Sequence, residues 1–229
     1  MQKYIYDGKT FDEVKEKALS ELKVAEENLI INILEEEFPD AICGLEYNSP
    51  IELVCALILA AQCTDARVNT IIPVLFAKYK DVYELSKANV DDIAKIVKPC
   101  GFYANKSKAI SNTAKMIVEK YNGIVPNTME DLNTLSGIGR KSANIILQEC
   151  FNKTEGIAVD THVTRISRKI GISNESTQEK IENELMSKID KRYWSIINHV
   201  FVLHGRKYCI ARRPQCDICP IKNYCNKNK

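Results

Sequence analysis

The chain has 229 residues and a mass of 26.0 kDa, and 45% of its residues are apolar, which is enough for one large domain or two small ones. The formal net charge is only +2, so bulk charge does not indicate a nucleic-acid binder, and such a role depends on where basic residues concentrate. The longest apolar stretches, such as residues 53–61, are too short to cross a bilayer, and the N-terminus lacks the apolar run of a secretory signal. A membrane protein and a secreted protein are therefore not expected.

Helical periodicity dominates the chain, and the alternation typical of strands is scarce. The first 20 or so residues carry a helical pattern, and further helices are predicted at about 23–37, 66–79, 91–98, 105–121, 140–151, 161–170 and 193–204. We expect an all-α protein of about ten helices, without repeats or low-complexity segments.

Several local sequences are typical of helix N-termini. Residues 49–52 combine a capping serine, a proline at the first helical position and a glutamate three residues after the cap. Ser176 to Glu179 has the same capping-box spacing, and Asn127 to Glu130 is a looser version with asparagine as the cap. The acidic run Glu35 to Glu37 is interpreted as a solvated helix face.

A G-x-G turn joins two predicted helices within residues 135–143, LSGIGRKSA. Gly137 and Gly139 let a backbone approach a ligand closely, and the amides of the next helix N-terminus suit a phosphate. A tight turn between two helices would require the same glycines. Lys141 lies in the first turn of the next helix, where the helix dipole favours the uncharged, nucleophilic amine; a phosphate-binding or solvated lysine is the alternative.

A single carboxylate, Asp160, follows the apolar pair Ala158-Val159 and opens the next predicted helix. Asp160 is an expected N-cap, and it can also serve as a general base or stabilise a developing cation near a partly desolvated lysine.

Four cysteines fall within the last 21 residues, with the spacing C-x6-C-x2-C-x5-C. This spacing predicts an iron–sulfur or zinc site, and the single C-x2-C pair is unlike the two pairs of a zinc ribbon. The other five cysteines are scattered singly among apolar residues, which is typical of core packing. The four are Cys209, Cys216, Cys219 and Cys225.

The tail that contains these cysteines is basic. From Gly205 onwards the one acid is Asp217, against Arg206, Lys207, Arg212, Arg213, Lys222, Lys227 and Lys229. The tail is therefore a basic patch, the kind of local charge concentration on which nucleic-acid binding depends.

Residues 135–143, residues 158–165 (AVDTHVTR) and the four-cysteine spacing together resemble the endonuclease III family of DNA glycosylases. Ala61 to Asp65 and Gly101 to Lys106 match as well, so the resemblance extends from about residue 24 to residue 226. It implies two helical domains with DNA in the groove between them. A six-helix barrel with a helix-hairpin-helix would cover residues 43–153, and residues 1–42 with 154–229 would form a domain that holds a 4Fe-4S cluster.

The resemblance also implies a role for each matching residue. Lys141 would attack C1′ of the damaged nucleotide and form a Schiff base, with Asp160 as the essential carboxylate. Gln62 and Phe102 would fill the space left by the flipped base, although a core role for Phe102 is an alternative. Phosphate contacts would come from Gly137, Gly139, Arg140, Arg212 and Arg213, and the cluster ligands would be Cys209, Cys216, Cys219 and Cys225.

The expected function is therefore that of a bifunctional DNA glycosylase/AP lyase that excises oxidised pyrimidines from double-stranded DNA. A monomer in the cytoplasm, associated with the nucleoid, is expected. Ser136 stands where the family commonly has proline, and one more residue separates Lys141 from Asp160 than in the best-known members. Both departures are expected in turns, where they bear on the loop geometry and not on the catalytic assignment. A monofunctional mismatch glycosylase and a non-catalytic DNA-binding iron–sulfur protein are the alternatives. Lys141 argues against the first, and Lys141 together with Asp160 argues against the second.

Overall fold

The structure is a computed structural model that describes residues 5–6, 9–10 and 26–226. The described residues divide into two compact units, one of residues up to Ala41 together with those from Val159, and the other of Ile42–Ala158. The assignment of these units to a cluster domain and a six-helix barrel stays a prediction at this point.

The regular structure of residues 26–226 is helical, which confirms the all-α prediction. The α-helices are α1 (26–37), α2 (Pro50–Ala60), α3 (Asp65–Lys78), α4 (Val82–Lys87), α5 (Val90–Val97), α6 (Tyr103–Tyr121), α7 (Met129–Thr134), α8 (Arg140–Phe151), α9 (Thr161–Ile170), α10 (Gln178–Lys188) and α11 (Ile197–Lys207). Short 3₁₀ turns cover Lys98–Cys100, Lys191–Tyr193, Cys216–Ile218 and Lys222–Tyr224. No helix of the described residues is long and apolar enough to cross a lipid bilayer.

The prediction of helix near the N-terminus is wrong for four residues, which form strands instead. Ile5–Tyr6 (β1) and Lys9–Thr10 (β2) form a two-stranded antiparallel ladder. The sequence between them is Asp7-Gly8, a pair that favours tight hairpins, and β-branched and aromatic residues favour strands. The rest of the predicted N-terminal pattern, including residues 23–25, lies outside the described residues.

Helix α2 is the centre of the unit formed by Ile42–Ala158. It is buried from Leu53 to Leu59, because its apolar residues surround the whole helix rather than one face. The predicted cap is confirmed: the Ser49 hydroxyl accepts from the amide of Glu52, and Pro50 is the first helical residue. Helices α3, α6 and α8 pack on α2, and α4 and α5 pack on α6, so one hydrophobic core runs through this unit.

Two of the predicted caps are wrong by one residue. The amide of Lys180 is accepted by the hydroxyl of Thr177, not by Ser176, and α10 begins at Gln178. Helix α7 is capped by Thr128, whose hydroxyl accepts from the amide of Asp131 and donates to its carboxylate in a reciprocal box. In Ser176-Thr177 and in Asn127-Thr128, either residue can cap a helix, so the local sequence does not show which of the two is the N-cap.

In the other unit, α9 packs against α11, and the end of α1 is bonded to the end of α11. Oε1 of Glu37 accepts from Nζ of Lys207 at 2.7 Å and from the hydroxyl of Tyr208 at 2.6 Å. The interpretation of the acidic run as a solvated face is therefore wrong for Glu37. The prediction failed because the partners lie 170 and 171 residues away along the chain.

Candidate active site and cysteine pocket

The turn between α7 and α8 is built around Gly137. Its φ of 82° lies in the left-handed region, and a Cβ there would lie 3.2 Å from Cβ of Ala109. The amide of Ile138 donates to the carbonyl of Leu135, and the hydroxyl of Thr113 on α6 donates to the carbonyl of Ser136 at 2.9 Å. Ile138 is buried beneath the turn, so the two glycines are presented on the surface.

The first turn of α8 leads directly out of this hairpin. Gly139 is the N-cap in an extended conformation, with no side-chain hydrogen bond at the cap and open space where a Cβ would lie. Arg140 and Lys141 are the first two helical residues, as predicted. Lys141 is partly buried, and its charge acts on the thiol of Cys43, whose pKa is raised overall by burial.

Asp160 is the N-cap of α9, as predicted. Its Oδ1 accepts from the amide of Val163 at 2.8 Å, and the buried residues Ile157 to Val159 lead into it. Asp160 is partly buried and acts on the imidazole of His162, whose pKa is nevertheless lowered by burial. Lys141 belongs to the unit of Ile42–Ala158 and Asp160 to the other.

Gln62 and Phe102 are exposed residues in loops of the same unit, with φ of 54° and 46°. Phe102 is 62% exposed, so the alternative of a core aromatic is not supported. A left-handed φ is costly for a residue other than glycine or asparagine, and such backbone strain is concentrated at functional sites. Close to both positions, burial and the neighbouring Cys63 thiol raise the pKa of the Cys100 thiol to about 11.

The four C-terminal cysteines line one pocket. Their spacing is maintained by short turns: the amide of Cys219 donates to the carbonyl of Cys216, and the amide of Lys222 donates to that of Cys219. Burial raises the pKa of the Cys219 thiol, and the charges of the other three cysteines act in the same direction. The pocket is lined by Lys169, Ile170, His204, Tyr208, Cys209, Pro214, Cys216, Cys219, Ile221 and Cys225.

A cluster with several iron atoms fits this donor set. Four soft thiolates suit iron–sulfur chemistry, and the remaining lining is largely apolar. The described residues contain no group of three or more His, Cys, Asp or Glu side chains arranged to hold a single metal ion. The four thiolates of Cys209, Cys216, Cys219 and Cys225 would hold the cluster.

Arg212 and Arg213 lie in the loop between Cys209 and Cys216, and both are exposed. The two ends of this loop are joined, because the amide of Gln215 donates to the carbonyl of Tyr208 at 2.8 Å. Two guanidinium groups on an exposed, anchored loop are suited to contact phosphate oxygens.

Two residues of these regions escaped the sequence analysis. His204 is almost fully buried, its Nε2 lies 3.9 Å from Sγ of Cys219, and burial lowers its pKa to about 4. Lys106 is buried in α6 and bonds to two backbone carbonyls. Lys106 ends a segment that resembles the family, but local sequence does not reveal that its amino group is buried. For His204, the position five residues before the first cysteine was a signal that could have been used.

Two family models match the chain. The model of the HhH-GPD superfamily of base excision DNA repair proteins matches residues 55–191, which is more than half of the chain. The model of the iron–sulfur binding domain of endonuclease III matches residues 209–225, which contain the four cysteines. The choice between iron–sulfur and zinc is thereby made in favour of iron–sulfur.

Curated relatives and a solved structure agree with these models. The chain is 39% identical to the endonuclease III of Synechocystis over 86% of its length and 90% of that protein. It is also 39% identical to the endonuclease III of Bacillus subtilis, over 84% of its length and 88% of that protein. A structure of a trapped endonuclease III–DNA covalent intermediate, in an estranged-adenine complex, aligns with a TM-score of 0.82 and 37% identity, over 86% of this chain and 93% of the other.

These matches confirm the family, the enzyme class and the cofactor expected from the sequence. The chain belongs to the endonuclease III family of base excision DNA repair proteins: it is a DNA glycosylase and AP lyase that acts on DNA and has a 4Fe-4S cluster.

Proposed function

We propose that this enzyme excises oxidised pyrimidines from double-stranded DNA with Lys141 as the nucleophile. The observation that supports this most directly is the position of Lys141, the second residue of α8, immediately after the hairpin of Gly137 and Gly139. The hairpin binds the DNA backbone, and the lysine beside it then meets the sugar of the bound nucleotide.

The reaction begins when the free electron pair of Nζ attacks C1′ of a nucleotide that has left the base stack. The bond between C1′ and the base breaks, and the base leaves with the electron pair and takes up a proton. Opening of the sugar ring gives an imine between Nζ and C1′. Loss of a proton from C2′ then expels the 3′ phosphate by β-elimination, and water releases the lysine.

Asp160 supplies the negative charge that these reaction steps need. One carboxylate oxygen caps α9 through the amide of Val163, which fixes the orientation of the group. The carboxylate stabilises the positive charge that develops on the sugar as the base leaves, and it accepts protons during the later steps.

The DNA backbone is bound by amides and basic side chains. The N-terminal amides of α8 and the open space at Gly139 admit a phosphate oxygen close to the backbone, and Arg140 adds a charge beside them. Arg212 and Arg213 bind a further phosphate from the loop between Cys209 and Cys216.

Cys209, Cys216, Cys219 and Cys225 are the ligands of the 4Fe-4S cluster in this proposal. The cluster, when bound, fixes the loop that carries the two arginines and supplies no step of the base-excision chemistry. His204 and Tyr208 enclose the cysteine pocket from α11 and its end.

Gln62 and Phe102 fill the space that the extruded nucleotide leaves. Both are exposed at the tips of loops, and the strained backbone at both positions supports a functional rather than a packing role. The enzyme acts as a monomer on chromosomal DNA, in the cytoplasm and at the nucleoid.

The proposal is tested with duplex oligonucleotides that each carry one defined lesion: thymine glycol, an oxidised purine or a mismatched adenine. Base release and strand cleavage are measured separately under single-turnover conditions. We expect thymine glycol to be released fastest, with strand cleavage in the same reaction, and Lys141→Gln to lose both. Base release without strand cleavage would contradict the lyase mechanism, and faster release of a purine would contradict the proposed substrate class.

A further inference from the structure

Lys106 is a buried charged residue with no part in the chemistry proposed above. Lys106 is only 5% exposed, although it lies in the first turn of α6, four residues after the exposed Phe102. A lysine is seldom fully buried unless its amino group is paired.

Nζ of Lys106 bridges two separate segments of the unit formed by Ile42–Ala158. It donates to the carbonyl of Leu59 and to the carbonyl of Cys100, both at 2.8 Å. Leu59 lies in the last turn of α2, and Cys100 ends the 3₁₀ turn Lys98–Cys100. Carbonyls at helix ends lack partners within the helix, and the lysine head group has three donors with which to satisfy them.

The two bridged segments lead directly into the loops that carry the strained side chains. We name residues 61–64 the Gln62 loop and residues 101–102 the Phe102 loop. Gln62 follows Leu59 by three residues, and the amide of Cys63 closes the turn on the carbonyl of Ala60. The backbone amide of Lys106 also donates to the carbonyl of Phe102 at 3.1 Å.

Two cysteines flank Lys106, Cys63 in the Gln62 loop and Cys100 immediately before the Phe102 loop. Burial, the neighbouring Cys63 thiol and the nearby Lys106 all act on the Cys100 thiol, and together they raise its pKa to about 11. Cys63 directly follows Gln62, and Cys100 is two residues before Phe102. The Lys106 amine therefore links, from a buried position, the two segments that lead into these loops.

We propose that Lys106 is a positioning residue that sets the spacing of the Gln62 loop and the Phe102 loop, so that both side chains enter the duplex together at a lesion. This inference rests on the roles proposed above for Gln62 and Phe102. Lys106 itself does not touch DNA. Its loss lets the loops move independently, and misplacement of a preorganised group by a small distance has a large effect on binding.

The test compares Lys106→Met, which keeps the side-chain length without a donor, with Lys108→Met on the same helix, where the lysine is exposed. The measured quantity is the ratio of the affinities for a duplex with a tetrahydrofuran abasic-site analogue and for the matched undamaged duplex, at one fixed salt concentration. Gln62→Ala and the double variant Lys106→Met/Gln62→Ala complete a double-mutant cycle. Lys106→Gln, which retains N–H donors, replaces the methionine variant if that variant does not fold.

We expect Lys106→Met to lower this ratio about tenfold, as Gln62→Ala does, and the double variant to lower it no further. Lys108→Met leaves the ratio unchanged. Amide hydrogen exchange of residues 59–63 and 100–103 should be faster in Lys106→Met than in the wild type.

Each other outcome has a definite meaning. A lower melting temperature with an unchanged affinity ratio would show that Lys106 only stabilises the fold, and it would overturn the inference while the proposed function stands. Additive losses in the double variant would show that Lys106 does not act through the Gln62 loop. An unchanged ratio in both Gln62→Ala and Phe102→Ala would overturn the proposed roles of these residues, and the inference with them.

Discussion

The carboxylate of Asp160 accepts a hydrogen bond from the backbone amide of Val163 at 2.8 Å, so the proposed catalytic group is also the N-cap of α9. These two roles depend on different properties of the side chain. Capping needs an oxygen acceptor, whereas stabilisation of a developing cation needs a negative charge.

Two substitutions separate these roles. Asp160→Asn keeps an acceptor for the cap and removes the charge, so its melting temperature should stay close to that of the wild type while base release falls at least about 100-fold. Asp160→Ala should lose the same activity and also about 1 kcal/mol of stability. Thermal denaturation and single-turnover base release measure both effects. Wild-type activity in Asp160→Asn would show that the negative charge of Asp160 is not required for base release.

The two glycines of the hairpin should respond differently to alanine. Gly137→Ala places a Cβ at a φ of 82° and 3.2 Å from Ala109, so we expect a loss of about 1–2 kcal/mol in the free energy of unfolding. Gly139→Ala meets open space and should cost less than about 1 kcal/mol.

The same pair tests phosphate binding at the hairpin. The methyl group of Gly139→Ala fills the space that a phosphate oxygen would use, so affinity for abasic-site DNA should fall about tenfold. Urea denaturation and DNA titration, carried out on both variants, separate stability from binding. Unchanged affinity in Gly139→Ala would exclude a close phosphate contact at that position.

Removal of one proposed cluster ligand should remove the iron. Cys216→Ala is expected to lose most iron and acid-labile sulfide and at least about 3 kcal/mol of stability, because cluster binding contributes to the folding free energy. Cys63→Ala, outside the cysteine pocket, is the control and should retain iron. Iron and sulfide analysis with thermal denaturation gives the comparison. Full iron content in Cys216→Ala would contradict the ligand assignment.

A pH-dependent stability difference is expected at Glu184. Burial acts to raise the pKa of its carboxyl, but hydrogen bonds from Lys188 and Ser173, both at 2.5 Å, outweigh burial and hold the pKa below its usual value of 4.5. The ionised form is therefore favoured in the folded state. Its stabilisation is complete above the unfolded-state pKa and is lost as the pH falls through the folded-state pKa.

Glu184→Gln tests this sign. The wild type should be more stable than the variant by about 1 kcal/mol at pH 7, and the difference should shrink as the pH falls below about 4.5. Chemical denaturation at a series of pH values measures it, with Glu179→Gln as the exposed control on the same helix. A difference that grows on acidification would contradict the assignment.

The sequence predicted α8 and α9 at their observed boundaries, because a G-x-G turn and a capping aspartate are local signals. The same reasoning missed α4, whose six residues are too few for a clear period. It also placed the start of α11 too early, because the preceding residues Lys191–Tyr193 form a 3₁₀ turn rather than a helix.

The site residues also divide into those with a local sequence signal and those whose role depends on contacts between distant residues. Lys141, Asp160 and the four cysteines have local patterns that a sequence reveals, whereas the contacts of Lys106 join residues 47 positions apart and those of Glu37 join residues 170 apart. The burial of a lysine or the pairing of a glutamate is a property of tertiary packing. Such residues therefore escape any interpretation from local sequence.

Borohydride reduction during turnover tests the central claim most directly. The wild-type enzyme is incubated with abasic-site duplex and borohydride, and the covalent adduct is digested and located by mass spectrometry. We predict one adduct, on the peptide that contains Lys141, and none in Lys141→Gln. An adduct on a different residue, or an equal yield from Lys141→Gln, would contradict the assignment of Lys141 as the nucleophile.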